Sequence, residues 1–198
     1  KKPSYYPGTF MQADATKLDL TFIRAFDFIW ISPPCQEFSV GTEYARMQGK
    51  KYINILPEMK ELAQAACIPA VIENVPGAVL RPDFMLCGSM FGLPIQRHRY
   101  FQCYHWQPVY TKLYCDHEAN KGNNHTIAGS FRGTIHDAAV SMGCAPTRLR
   151  GELKEGVPPA YSIFIYRTWL DQLTSAALLN ISPGPLTSRS RINICAAP

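Results

Sequence analysis

Two apolar segments on either side of an amphipathic one constrain the fold of this chain more than any other feature. Residues 26–31 are apolar enough to form a buried strand, and residues 69–72 form a second such run. Between them, from about Tyr52 to Ala66, apolar residues recur at helical spacing. This order of strand, helix and strand predicts two parallel strands with a right-handed crossover, and therefore an α/β fold.

The composition fits one domain without a membrane anchor. The 198 residues, 46% of them hydrophobic, are enough to bury a core, and no apolar run approaches a membrane span of about 18 residues. The net charge of +5 is compatible with a polyanionic partner but does not require one. The seven cysteines are odd in number and irregularly spaced, which predicts reduced thiols in the cytoplasm.

A thiol follows the first predicted strand directly. Pro33 and Pro34 restrict the backbone just before Cys35, at the strand end where ligands bind in open α/β sheets. This arrangement is typical of a presented nucleophile. A buried structural cysteine after a turn is the alternative interpretation.

A carboxylate follows the second predicted strand, at Glu73. Because the two strands are predicted to be parallel, Cys35 and Glu73 fall at the same edge of the sheet. A glutamate at a strand end is by itself typical of a solvated loop. Beside a candidate nucleophile, however, it indicates acid–base chemistry.

Two segments near the amino terminus have more than one interpretation. Residues 9–12 are predicted to form a short strand ending before Asp14, which either binds a nucleotide-like ligand or caps the following turn. The loop from Val40 to Lys51 is predicted to be mobile and to touch a phosphate backbone or fold over a substrate.

Two arginines stand at alternate positions after the glycine-rich stretch. If Arg97 and Arg99 lie in one strand, both point to the same face of the sheet. Two guanidinium groups on one face can hold a carboxylate, a phosphate or a base carbonyl. A basic edge strand facing water is the alternative.

Taken in order, Pro34-Cys35-Gln36, Glu73-Asn74-Val75 and Arg97-x-Arg99 resemble motifs of the DNA cytosine-5 methyltransferase family, most closely its compact phage- or prophage-type members. The resemblance covers residues 9–101 and 152–173. It implies that Cys35 is the nucleophile that adds to the base and that Glu73 protonates the base. It also implies that Arg97 and Arg99 hold the target cytosine.

The resemblance further implies a cofactor, a substrate and a biological setting. The cofactor is S-adenosylmethionine, and the residues expected to bind it are Asp14, Pro34, Tyr161 and Ser162. The substrate is double-stranded DNA, with the target base flipped out of the helix. The residues expected to contact it are Gln36, Ser39 and Asn74. The expected setting is restriction-modification in the cytoplasm of a bacterium or of a phage-infected host.

The chain departs from the family at its amino terminus, where the first strand and glycine-rich cofactor turn are missing. The predicted fold is therefore an incomplete Rossmann-like methyltransferase sheet, with weak or no binding of S-adenosylmethionine unless a separate chain supplies those strands. The expected function is a cytosine-5 methyltransferase or its catalytic fragment. A catalytically inactive DNA-binding remnant is the alternative.

Four segments are predicted: a catalytic core at 1–101, a small loop-rich recognition insert at 102–151, a helix returning to the core at 152–179, and a disordered tail at 180–198. Basic and aromatic residues mix in the insert, which is typical either of DNA backbone positioning or of ordinary solvated charges. They are Tyr104, Trp106, Tyr110, Lys112, Tyr114, Lys121, Arg132, Arg148 and Arg150.

The insert also contains two Cys-x-His pairs. Cys103 with His105, and Cys115 with His117, could supply four tetrahedral zinc ligands. The gap of one residue within each pair is tighter than the usual zinc spacing, so no metal site is predicted.

Overall fold

The computed structural model describes residues 8–118, 127, 133–145 and 150–178, with the backbone alone for residues 150 and 176–178. These residues divide into two compact units. The first unit contains the described residues up to Phe84 together with Tyr100–Gln107, and the second contains Met85–Arg99 and the described residues from Pro108 onward. The division therefore runs through the predicted core and through the predicted insert, and the closing helix groups with the described residues of the insert from Pro108 onward.

The first unit is built from short helices and strands. In chain order its elements are α1 Leu20–Ile23, β1 Ile29–Ile31, α2 Glu43–Met47, α3 Leu56–Ala66 and β2 Ala70–Asn74. Strand β3 Phe84–Leu86 starts where this unit ends, and strand β4 Arg99–Tyr104 belongs to it from Tyr100 onward.

Four strands form one mixed sheet in the order β1-β2-β4-β3. Strands β1 and β2 are parallel, with Ile31 opposite Ile72. Strands β2 and β4 are antiparallel, with Asn74 opposite Tyr100. The predicted α/β class is confirmed, as is the parallel pairing of the strands predicted at 26–31 and 69–72.

Helix α3 starts at Leu56 rather than at the predicted Tyr52, because Pro57 fits only the first turn of a helix. The side chain of Asn54 accepts a hydrogen bond from the Leu56 amide there. At the other end, Arg24 donates to the carbonyls of Ala65 and Ala66, which have no partners within the helix. Cys67 ends the helix in the left-handed conformation, at φ 54°.

The predicted apolar face of α3 packs into the core of the first unit. The buried members of this core are Ala15, Ile23, Ile29, Ile31, Leu56, Met59, Ala63, Ala66, Ala70, Ile72, Ala78 and Tyr104. The buried indole of Trp106 donates to the Ala70 carbonyl at 3.0 Å, so this polar group has a partner within the core.

Two predictions for the first unit are wrong. Residues 9–12 form no strand, because a strand needs a neighbour to hydrogen-bond with, and none pairs with them in the described part of the chain. The segment from Val40 to Lys51 is not an irregular loop, since it contains a 3₁₀ turn at Val40–Thr42 followed by α2.

The second unit is mainly helical, with α4 Ile135–Met142, α5 Arg150–Glu155 and α6 Pro159–Leu178. Helix α4 lies within the predicted loop-rich insert, whose residues 105–118 form no helix or strand. Thr134 and Asp137 form a reciprocal capping box at its start, and Gly143 ends it at φ 65°. One buried hydrophobic cluster of this unit contains Ile95, Ile127, Ala138, Ala139, Met142 and Leu153.

Some predictions fall outside the described residues, namely the tail at 180–198, residues Lys121, Arg132 and Arg148, and the side chain of Arg150. Among the helices that the structure does describe, none has the length and apolar character to cross a membrane.

Candidate functional site

Cys35 lies in a tight turn just beyond the carboxyl end of β1. Its thiol side chain is half-buried. Its carbonyl accepts hydrogen bonds from the amides of Phe38 at 3.0 Å and Ser39 at 2.9 Å. This turn, residues 35–39, is called the thiol loop below.

Arg46, which lies outside the thiol loop on α2, holds the backbone of the loop through hydrogen bonds. Its guanidinium group donates to the carbonyls of Gln36 at 2.9 Å and Ser39 at 2.8 Å. The hydroxyl of Thr42 donates to the same two carbonyls. Sequence reasoning missed this role of Arg46, because it treated the segment as a mobile loop.

Glu73 and Asn74 are the last two residues of β2 and are not loop residues. Glu73 is 7% exposed and Asn74 is fully buried. The side-chain amide of Asn74 donates to the Pro33 carbonyl at 3.2 Å, and its oxygen accepts from the Val75 amide at 2.9 Å. One buried side chain therefore ties the end of β2 to the backbone that leads into the thiol loop.

Gly77 brings the segment after β2 against the thiol loop. An added Cβ at this position would lie 2.5 Å from the carbonyl oxygen of Phe38, closer than any real contact. Gly77→Ala is therefore expected to lower the free energy of unfolding by about 1–3 kcal/mol, measured by urea denaturation.

Gly41→Ala is the matched control for this substitution. Its added Cβ would meet only the Ser39 hydroxyl oxygen at 3.6 Å, an ordinary contact, so a change within about 0.5 kcal/mol is expected. Equal urea midpoints for the two variants would mean that the two segments are not packed together.

Asp14 caps the short 3₁₀ turn Ala15–Lys17, as one of its two interpretations proposed. Its carboxylate accepts from the Thr16 hydroxyl at 2.6 Å and the Thr16 amide at 3.0 Å. These hydrogen bonds, with Lys17 at 3.4 Å, lower the pKa of Asp14. The side chain is still half exposed, so the capping role leaves room for a ligand.

Arg97 is buried in the second unit, where backbone carbonyls surround its guanidinium group. It donates to the carbonyls of Ile127 at 3.0 Å, Lys154 at 2.6 Å and Gly156 at 2.7 Å. The side chain is only 6% exposed. These contacts hold three separate segments of the unit together, which is a structural role that the sequence did not indicate.

Arg99 differs from Arg97 in both position and exposure. It is the first residue of β4, whereas Arg97 precedes the strand, so the strand periodicity that was to align them does not apply. Arg99 is half-buried and donates to the His98 carbonyl at 2.8 Å. Its expected contact with a base remains a prediction.

Tyr161 and Ser162, the other expected cofactor residues, lie in the first turn of α6. The hydroxyl of the fully buried Tyr161 donates to the Arg97 carbonyl at 2.7 Å, and burial raises the pKa of Tyr161. The Ser162 hydroxyl donates to the Pro159 carbonyl at 2.9 Å. Both hydroxyl protons are therefore used within the second unit.

Apart from Tyr110, which is half-buried with its ring 5.7 Å from that of Phe164, the aromatic residues expected to accompany DNA contacts divide into two groups. Tyr104 and Trp106 are each 8% exposed and pack in the core of the first unit, so they are not available to a partner. Tyr114 in the second unit is 75% exposed, and the Lys112 ammonium lies 5.7 Å from the centre of its ring. Only this second group has the exposure that the expected role requires.

The two Cys-x-His pairs have different environments. Cys103 lies in β4, where burial raises its pKa, and the His105 ring donates to the carbonyls of Ala63 and Gln64. In the second unit, Cys115 and His117 meet two residues that were not considered for metal binding, Cys87 and His98.

These four side chains of the second unit, Cys87, His98, Cys115 and His117, are called the Cys/His cluster below. Their ligand atoms all lie within 4.8 Å of one another. The pKa of His98 is lowered mainly by burial, and to a smaller extent by the positive charges of His117 and Arg99. The pKa of Cys115 is raised mainly by burial, and to a smaller extent by the nearby thiol group of Cys87. Sequence reasoning missed this group because Cys87 and His98 belong to neither Cys-x-His pair and are not close to each other along the chain.

Comparison with models of known protein families, with curated proteins and with solved structures finds no match to this chain. The class that the structure itself defines is a mixed α/β protein with a four-stranded mixed sheet.

Proposed function

We propose that the chain is a DNA cytosine-5 methyltransferase, or the catalytic part of one, that transfers a methyl group to C5 of a cytosine flipped out of duplex DNA. The observation that carries the proposal is the arrangement at one end of two parallel strands. Cys35 follows β1, Glu73 lies at the end of β2, and the buried Asn74 joins the two segments through the Pro33 carbonyl.

This arrangement fits the chemistry because C5 of cytosine is a weak nucleophile. In the proposed reaction the Cys35 thiolate forms a bond to C6 while Glu73 gives a proton to N3, so the ring becomes an electron-rich enamine. After C5 has gained the methyl group, water accepts the C5 proton, the thiolate leaves C6, and N3 returns its proton to Glu73, which restores the ring. Each residue then returns to its starting form.

The setting of the two side chains supports these roles. Glu73 is almost completely buried, and a carboxyl group that must hold a proton near neutral pH benefits from exclusion of water. Cys35 is half-buried in a turn whose backbone carbonyls are fixed by Arg46 and Thr42, so the position of its thiol is well defined.

The first unit contains residues that fit the expected cofactor in part. S-adenosylmethionine, when bound, would supply the methyl group. The half-exposed carboxylate of Asp14 can accept hydrogen bonds from it, and Pro34 lies half-buried at the end of β1. Tyr161 lies in the second unit, where its hydroxyl donates to the Arg97 carbonyl.

An exchange assay tests the proposed chemistry without any cofactor. Once the thiolate has added to C6, C5 can take a proton from water, and elimination of the thiolate then releases the original hydrogen. Duplex DNA tritiated at C5 of cytosine is therefore expected to release tritium to water in the presence of the chain. Glu73→Gln is expected to slow this release by about 10²–10⁴-fold.

Glu58→Gln, an exposed substitution in the first turn of α3, is the control and should leave the release unchanged. Methyl transfer from labelled S-adenosylmethionine is measured in parallel. Salt-sensitive DNA binding by the wild-type chain without tritium release or methyl transfer would contradict the proposal and favour the DNA-binding remnant.

A further inference from the structure

We propose that the Cys/His cluster of the second unit binds one zinc ion in a structural site. Cys87 is buried, and His98, Cys115 and His117 are half-buried. The proposal is independent of the methyltransferase chemistry, because it rests only on contacts within the second unit.

Two sulfur–nitrogen distances within the cluster match those of a tetrahedral site. Zinc–sulfur bonds of about 2.3 Å and zinc–nitrogen bonds of about 2.0 Å place neighbouring ligand atoms about 3.3–3.8 Å apart. The Cys87 sulfur lies 3.4 Å from Nε2 of His117, and the Cys115 sulfur lies 3.3 Å from Nε2 of His98. Both sulfur–nitrogen pairs therefore already have the required separation.

The ligand set selects zinc among the common divalent ions. Thiolate is a soft ligand and imidazole a borderline one, and both bind zinc well, whereas magnesium and calcium prefer oxygen ligands. Two thiolates balance the charge of Zn²⁺, so the loaded site is neutral and compatible with burial. Four protein ligands complete the coordination, and this closed arrangement is typical of a structural site.

The surrounding backbone holds the ligands in place. Cys87 starts the 3₁₀ turn Gly88–Phe91, and Gly88 packs so closely against Ile95 that no side chain fits there. Asp116 lies between Cys115 and His117 in the sequence, and its amide donates to the Ser89 hydroxyl at 3.3 Å. Residues 111–116 have no regular secondary structure, so a bound metal would attach this segment to the 3₁₀ turn that follows Cys87.

Metal analysis of the whole chain tests the proposal. The chain purified with zinc in the medium is expected to retain one zinc per molecule after gel filtration. Cobalt in place of zinc should give the visible spectrum of a tetrahedral site with sulfur ligands. Cys115→Ser is expected to weaken zinc binding by at least a hundredfold, because changes to groups that only orient ligands already cost about 10–100-fold.

Cys67→Ser and His136→Asn are matched controls, since both residues are exposed and lie outside the cluster. His117→Cys preserves four ligands, so it should still bind cobalt, with stronger sulfur-to-cobalt absorption. This variant separates loss of a ligand from loss of folding. A wild-type chain that binds no zinc at micromolar concentrations, or that contains a Cys87–Cys115 disulfide, would overturn the proposal.

Discussion

Substituting Cys35 by serine is expected to slow two reactions by about three orders of magnitude or more each. They are the release of tritium from C5 of cytosine and the transfer of the methyl group. A serine hydroxyl has nearly the same size as the thiol but is far less ionised near neutral pH, so it cannot add to C6. The measurement is the exchange assay on duplex DNA, with trapping on DNA that contains 5-fluorocytosine as a second readout. With S-adenosylmethionine supplied as the methyl donor, the wild-type chain should form a covalent adduct and Cys35→Ser should form none.

Cys67→Ser is the control for this prediction. Cys67 is an exposed cysteine at the end of α3 and should keep full activity when replaced. Urea unfolding of Cys35→Ser should match the wild type within about 1 kcal/mol, because the thiol is only half-buried. A Cys35→Ser chain that still exchanges tritium at the wild-type rate would remove Cys35 from the mechanism.

The largest expected effect on stability is that of Arg97→Met, about 3 kcal/mol or more. Methionine keeps most of the apolar stem of arginine but removes every donor. The carbonyls of Ile127, Lys154 and Gly156 then lose a charged partner, and leaving buried polar groups unpaired costs about 1–3 kcal/mol each. Urea unfolding and hydrogen exchange of peptides from residues 85–99 and 150–165 measure the loss.

Arg99→Met is the comparison for Arg97→Met, because Arg99 is half-buried and donates to the carbonyl of the neighbouring residue, His98. Its stability is expected to change by less than about 1 kcal/mol. An Arg97→Met chain as stable as the wild type but without tritium release would contradict the structural role. It would favour the base-holding role that the resemblance implies for Arg97.

The predictions that succeeded concern residues whose neighbours along the chain determine their structure. Helix α3 and strands β1 and β2 follow from apolar periodicity, and their order makes the strands parallel. The cap formed by Asp14 follows from its position before a turn. The strand predicted at residues 9–12 does not form, because strand propensity is not enough without a neighbouring strand to pair with.

Other features could be recognised only partly from the sequence. Helix α4 has a local signal, since Thr134 and Asp137 have the spacing of a capping box and Gly143 has the position of a helix end. Arg46 gave no signal, because an arginine in a polar segment looks the same whether it binds phosphate or a backbone carbonyl. The burial of Tyr104 and Trp106 could not be foreseen from a stretch in which aromatic and basic residues mix.

The sequence by itself determined the α/β class and placed Cys35 and Glu73 at the ends of two parallel strands, because periodicity and chain order are local properties. Only the tertiary structure decided that Asn74 joins those ends, that Arg97 is surrounded by carbonyls, and that Cys87 and His98 meet Cys115 and His117. The physical reason is that such contacts depend on where loops close and which polar groups are buried. Neither property is encoded in the spacing of the residues along the chain.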